Sequence, residues 1–125
     1  MPKSVLVVDD NAFIRQALCQ LFTSQADFDV CGEAANGQEA IEKVQELRPD
    51  VIVMDVSMPV MNGIDAARAL KKLLPQVPII LFSEYNDAFS EDEAHSAGVS
   101  ALVPKSRNVS ALLGEVRRLC GLIAA

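Results

Sequence analysis

Short apolar runs that each end at a polar residue set the plan of this chain. Val51-Ile52-Val53-Met54 is unbroken and stops at Asp55, and Ser4-Val5-Leu6-Val7-Val8 stops at Asp9-Asp10. Val77-Pro78-Ile79-Ile80-Leu81-Phe82 stops at Ser83, and Ala101-Leu102-Val103 stops at Pro104-Lys105. Runs this short, continuous and rich in β-branched residues predict strands covered on both faces. Phe28 to Ala34 alternates weakly around Val30 and Gly32 and predicts one more strand. Between these segments apolar residues return at helical spacing. Phe13, Ile14, Ala17, Leu18, Leu21 and Phe22 form one stripe behind Asn11 as N-cap. Asn36-Gly37-Gln38-Glu39 has the form of a capping box and opens a helix through Ala40, Ile41, Val44 and Leu47, ended by Pro49. Ile64, Ala67, Leu70 and Leu74 mark a third helix stopped before Pro75, with Asn62-Gly63 as the turn before it. Ala88 to Ala97 predicts a short acidic fourth helix with Gly98 as its stop. Val109, Leu112, Leu113, Val116, Leu119 and Ile123 trace the fifth.

Strict alternation of strand and helix requires crossovers of one hand and a parallel sheet covered on both faces, an α/β doubly wound fold. Pro104 has no N–H to give to a neighbour, so the fifth strand belongs at an edge. Strand order 2-1-3-4-5 then fits, and ligands bind beyond the carboxyl ends of strands one and three, where the order reverses. The 125 residues predict a single domain over 1–125, with no linker, repeat or low-complexity tract.

Charge narrows the partners. The formal net charge is −6, which argues against a nucleic-acid or anionic-membrane surface on this domain. No apolar run approaches the roughly 20 residues of a membrane span. Met1-Pro2-Lys3 leads straight into a strand without a signal-peptide core, so a cytoplasmic protein is expected. Cys19, Cys31 and Cys120 are odd in number and lack metal-site spacing, which predicts reduced, mostly buried thiols. His95 is the only histidine, expected on the surface of helix four, so a histidine-based cluster within one chain is excluded. Met54, Met58 and Met61 read as packing residues. Lys71-Lys72 and Arg117-Arg118 read as solvated helix faces.

In a parallel sheet the carboxyl ends of all strands lie on one edge. Asp9 and Asp10 follow strand one, Asp55 strand three, Ser83 strand four and Lys105 strand five. Three carboxylates in one crevice repel each other unless a positive charge intervenes. A hard divalent cation with oxygen ligands answers this, Mg²⁺ above all and Mn²⁺ as a substitute. Asp10 is the expected direct ligand of the acidic pair and Asp9 binds directly or through water. Asp55 and the backbone carbonyl of Ser57 complete the protein's share. The cation, Lys105 and the Ser83 hydroxyl are the parts needed to hold the oxygens of a transferring phosphoryl group. Asp55 is placed to attack phosphorus and form an acyl phosphate. Each residue alone has a plainer reading: a helix-entry pair favoured by the dipole, a turn serine, a surface lysine. Agreement at four strand ends is what displaces those readings.

With these residues in hand the chain resembles the bacterial two-component response-regulator receiver family, of the chemotaxis-regulator-like kind. The motifs are Val7-Val8-Asp9-Asp10, Asp55-x-x-Met58-Pro59-x-Met61-Asn62-Gly63, Ser83 and Lys105. The resemblance implies a flavodoxin-like receiver fold, for which the order 2-1-3-4-5 is the known one. It implies phosphorelay signalling, in which a sensor histidine kinase or phosphotransfer protein phosphorylates Asp55 with Mg²⁺ required. It implies a surface of helix four, strand five and helix five that switches on phosphorylation and addresses a target protein or a fused output domain. It also implies no enzyme activity beyond the domain's own phosphorylation and dephosphorylation. Homodimerisation through that surface on phosphorylation stays open.

Three positions depart from the family pattern. Lys105 is preceded by Pro104 and followed by Ser106, not by proline. Leu102 stands where the family carries a rotamer-switching aromatic, which makes Tyr85 the candidate reporter on Ser83. Glu84 stands where a small residue is usual and is expected to slow small phosphodonors. Residues 57 and 85 are where the resemblance places control of dephosphorylation, and Tyr85 is expected to shield the phosphoryl group. Rival readings fare less well. An aspartyl phosphatase or phosphotransferase needs a second acid where Ser57 stands, and a nucleotide-binding domain needs a glycine-rich loop after strand one. A pseudo-receiver that acts as a phosphorylation-independent interaction module is the alternative that remains.

Overall fold

The structure is a computed structural model and describes residues 2–83, 91–105 and 109–122, the side chain of Ser83 excepted. In chain order the elements are β1 (Lys3–Val8), α1 (Ala12–Thr23), β2 (Phe28–Ala34), α2 (Gly37–Leu47) and β3 (Val51–Asp55). They continue with α3 (Gly63–Leu73), β4 (Ile79–Ser83), α4 (Glu91–Ser96), β5 (Ala101–Pro104) and α5 (Val109–Leu119). The five strands form one sheet in the order β2-β1-β3-β4-β5, every pair parallel. β5 is an edge strand, as its proline requires.

Alternation along each strand divides the apolar residues between two cores. Leu6, Val8, Ile52, Met54, Ile79 and Leu81 face α2, α3 and α4, while Val5, Val7, Val51, Val53, Ile80 and Phe82 face α1 and α5. Full burial of each such side chain contributes about 1.5–3 kcal/mol, so the strands that end at the site are held from both sides. Side-chain caps start the helices. Asn11 Oδ1 accepts the N–H groups of Phe13 and Ile14 at 2.9 and 3.2 Å, and Asn36 Oδ1 accepts that of Glu39 at 2.9 Å. Met54, Met58 and Met61 pack on the α2–α3–α4 core, and His95 lies exposed on α4.

The sequence pattern misplaced several details. Asn62-Gly63 is not a turn: Asn62 caps α3 by accepting the Asp65 N–H at 2.9 Å, and Gly63 is the first helical residue. The reversal lies upstream at Val60, whose φ of 69° lets the Met61 N–H reach Pro59 O at 2.7 Å. Phe13 is 85% exposed and Ala17 is exposed as well. At about 100° per residue they sit 100° or more around α1 from Leu18, which faces the sheet. α3 ends at Leu73, and β4 begins at Ile79 because the Val77 N–H turns back to Leu74 O. The three thiols are free and only partly buried. Lys71 donates to Val77 O at 2.8 Å, and Arg117 grips Asp27 at 2.8 Å and Gln25 at 2.9 Å over the Phe28 ring. Neither is a freely solvated charge. The expected start of helix four at Ala88 and the end of helix five at Ile123 lie outside the described residues. Among the described residues no helix is long and apolar enough to cross a membrane.

Candidate functional site

The site is built where β1 and β3 end side by side. Val8 pairs with Met54, so the next residues, Asp9 just past β1 and Asp55 at the last position of β3, sit side by side. Asp9 is 1% exposed and Asp55 5%, whereas Asp10 is exposed. One oxygen from each of Asp9, Asp10 and Asp55 can be chosen so that all three lie within 4.8 Å of one another. Lys105, just beyond β5, closes the group: its Nζ is 3.2 Å from Asp55 Oδ1 and 3.7 Å from Asp9 Oδ2. The same Nζ sits over the Phe82 ring, 6.0 Å from its centre.

Backbone contacts fix the two buried acids. The Asp9 N–H donates to Ala34 O at 3.0 Å, and Asp9 Oδ1 accepts the Asn11 N–H at 2.8 Å. Beneath Asp55, the Gly63 N–H donates to Val56 O at 2.8 Å. A Cβ at residue 63 would lie 2.4 Å from Asp55 O, so only glycine lets α3 start against the strand end. Burial pushes both carboxyls up from the ordinary carboxylate range. For Asp9 the Asn11 N–H and Lys105 oppose this, and for Asp55 the neighbouring Asp9 adds to it while Lys105 opposes.

Asp9 Oδ2 and Asp55 Oδ1 are buried, and neither makes a well-aligned hydrogen bond among the described residues; the Lys105 ammonium faces them as an ion pair at 3.7 and 3.2 Å. Two buried carboxylates sharing one ammonium, with a third acid beside them, carry a desolvation and repulsion penalty that a further cation relieves. Three carboxylates are hard oxygen donors that match Mg²⁺, so the residues present fit that ion.

The structure therefore brings Asp9, Asp10, Asp55 and Lys105 together. Ser57 lies exposed in the loop just after β3. Ser83 ends β4 in register with Pro104, one residue from Lys105. Leu102 is half-buried and packs on the α2–α3–α4 core. Glu84 and Tyr85 lie outside the described residues. Sequence reasoning missed the contacts of Asn11 and Gly63, the strained Val60, and Arg15, whose Nη1 donates to Asp9 O at 2.8 Å. The available signal for Arg15 was a basic residue soon after the acid pair, in a helix with no other charged residue.

The family model of the response regulator receiver domain matches residues 5–117. The chain belongs to this family. The receiver is 45% identical to the chemotaxis protein CheY of Thermotoga maritima over 116 residues, covering 90% of this chain and 96% of that protein. It is 40% identical to the protein-glutamate methylesterase/protein-glutamine glutaminase 4 of Hahella chejuensis, covering 98% of this chain but 31% of that protein. The receiver thus spans about a third of such a methylesterase. Among solved structures, the response regulator domain of Thermotoga maritima CheB superposes with a TM-score of 0.88 at 34% identity, covering 99% of this chain and all of that one. The CheX–CheY–BeF3–Mg complex of Borrelia burgdorferi matches with a TM-score of 0.87 at 26% identity, over 95% of this chain and 90% of that one.

Proposed function

We propose that the receiver serves phosphorelay signalling by accepting a phosphoryl group on Asp55 from the phosphohistidine of a kinase or phosphotransfer protein. The observation that carries this is the buried Asp55 carboxylate, whose Oδ1 lies 3.2 Å from the Lys105 ammonium beside two further carboxylates. An Asp55 oxygen forms the new bond to phosphorus, the P–N bond breaks, and the imidazole nitrogen keeps the electron pair. Lys105 keeps Asp55 ionised before attack and then faces the phosphoryl oxygens, with Ser83 as the hydroxyl donor at the neighbouring strand end. Asp9, Asp10, Asp55 and the Ser57 carbonyl hold Mg²⁺, or Mn²⁺ in its place, which supplies the positive charge that offsets the carboxylates and the phosphoryl oxygens. A CheY relative that binds BeF3 and Mg supports this assignment.

The reading extends to the whole chain: one cytoplasmic receiver domain over 1–125, acting on its own phosphorylation alone, whose α4–β5–α5 surface passes the signal to a target or output domain. Glu84, Tyr85 and Leu102 modulate rate and switching. The test is transfer of radiolabelled phosphoryl from an autophosphorylated histidine kinase. Label on wild type that needs Mg²⁺ and vanishes in Asp55→Asn is expected. Equal labelling of Asp55→Asn sinks the proposal, and so does the absence of any Mg²⁺ or beryllofluoride binding.

A further inference from the structure

Arg15 sits on α1, one turn beyond the acid pair, with its side chain turned back toward β1. Its guanidinium spans two groups: Nη1 donates to the backbone carbonyl of Asp9 at 2.8 Å, and Nε lies 3.0 Å from Glu33 Oε1 near the end of β2. Glu33 is itself held, because its carbonyl accepts from Lys43 on α2, which also pairs with Glu39 at 3.0 Å. The carbonyl that Arg15 grips belongs to the peptide joining Asp9 to Asp10. Its plane sets the direction in which the Asp10 side chain leaves the chain. The Asp9 side of that peptide is pinned already, by Ala34 O on its N–H and by the Asn11 N–H on its carboxylate. Asp10 lies exposed in the β1–α1 turn, with the Arg15 contact on the peptide before it.

We infer that Arg15 is a positioning residue for the cation site: by clamping the Asp9–Asp10 peptide between α1 and Glu33 it aims the Asp10 carboxylate at the space between Asp9 and Asp55. This rests on the Mg²⁺ reading above. The fork geometry matters, because one planar group must satisfy a carbonyl and a carboxylate at once. The inference also has a distinctive sign. A guanidinium near a cation site repels the cation. If Arg15 acted through charge alone, its removal would tighten Mg²⁺ binding. If it positions Asp10, its removal loosens binding.

The experiment is Mg²⁺ titration of the full chain by calorimetry and by the Asn11 amide shift, well below each variant's Tm, with melting curves taken without Mg²⁺. Arg15→Met keeps the apolar stem and removes the fork; roughly tenfold weaker Mg²⁺ binding is expected, in the range found for groups that orient metal ligands. Arg15→Lys keeps the charge and one donor and is expected to lose about twofold to threefold. Arg15→Met that binds Mg²⁺ as tightly as wild type, or more tightly, overturns the inference. Should Arg15→Met fail to fold, Arg15→Lys at wild-type affinity overturns it instead. Wild type that binds no Mg²⁺ sinks the phosphorelay reading itself, whereas wild type that binds beside an unaffected variant removes Arg15 alone.

Discussion

The two ends of strand β3 carry an aspartate each, in opposite circumstances. At the amino end Asp50 is exposed; its Oδ2 accepts the Ser4 N–H at 2.8 Å and the Ser4 hydroxyl at 3.2 Å, and its own N–H donates to Ser4 O at 2.9 Å. At the carboxyl end Asp55 is buried against a second acid, with the Lys105 ammonium 3.2 Å from its Oδ1. The same residue type thus ties two strands together at one edge and stores repulsion at the other. The amino edge is arranged for stability. The carboxyl edge gives up stability to gather three carboxylates beside one lysine, the pattern expected where function sets the constraint.

The largest effect expected follows from how tightly α3 starts against that site. Gly63→Ala places a Cβ 2.4 Å from Asp55 O and 3.0 Å from Val56 Cα, both backbone atoms that cannot step aside cheaply. A loss of about 3 kcal/mol in urea unfolding is expected, with phosphorylation of Asp55 falling at least tenfold because the strand end must shift. Gly114→Ala is the contrast: nothing lies within 4 Å of the added Cβ on α5, and a gain of about 0.5–1 kcal/mol is expected from helix propensity alone. Equal stabilities for the two variants would show that the carboxyl edge is no more tightly built than an open helix face.

The next effect compares the acids directly. Asp9→Asn is expected to stabilise the Mg²⁺-free protein at pH 7 by about 1–2 kcal/mol, because it removes a buried charge facing Asp55. Asp50→Asn is expected to destabilise by about 0.5–1 kcal/mol through weakened hydrogen bonds. The pH dependence has a fixed sign. Both Asp9 and Asp55 titrate above 3.8 in the folded protein, so the native state retains protons that the unfolded chain has released. Their contribution is fully present below about pH 3.8 and is lost as pH rises through the native values. Asp27 has the opposite shift, lowered first by its hydrogen bond to Arg117, and its contribution fades only below about pH 4. Metal-free wild type is therefore expected to lose Tm relative to Asp9→Asn as pH rises above about 3.8, and Mg²⁺ at pH 7 to raise the wild-type Tm more than that of Asp9→Asn. A wild-type Tm that gains on that of Asp9→Asn as pH rises above about 3.8 without Mg²⁺ contradicts the assignment of stored repulsion.

Much of this contrast is legible in the sequence, for a definite reason. Strands covered on both faces must be unbroken apolar runs, so the first polar residue after each run, Asp9, Asp55, Ser83 or Lys105 beyond Pro104, marks the edge. Asn11 and Asn36 are equally legible as caps, since their job depends on side-chain type. What stays hidden depends on partners that residue type does not encode. Arg15 acts on a main-chain carbonyl, and Arg117 on Asp27, which lies 90 residues away. Phe13 satisfies helical spacing as well as Leu18 does, and only the orientation of α1 on the sheet turns it outward. Asn62 and Gly63 have a turn's composition, yet the turn is at Val60, which sequence rules would exclude from it.

That exclusion leads to the smallest of the expected effects. Among the described residues two non-glycine positions have positive φ: Arg48 at 43° and Val60 at 69°. They lie on either side of β3, one approaching its amino end and one leaving its carboxyl end. Arg48 is the C-cap of α2, its N–H donating to Val44 O at 3.0 Å, a place where an unbranched residue tolerates the left-handed region. Val60 is β-branched, 81% exposed, and central to a γ-turn of the rarer, strained hand. Nothing is lost by removing so exposed a side chain, so Val60→Asn is expected to raise the unfolding free energy by about 1 kcal/mol, read as a higher urea midpoint with an unchanged slope. Arg48→Asn is expected to gain only a few tenths of a kcal/mol. If the two gains are equal, or their order is reversed, backbone strain is not concentrated at the carboxyl edge of the sheet, and the difference between the two ends of β3 reduces to the carboxylates alone.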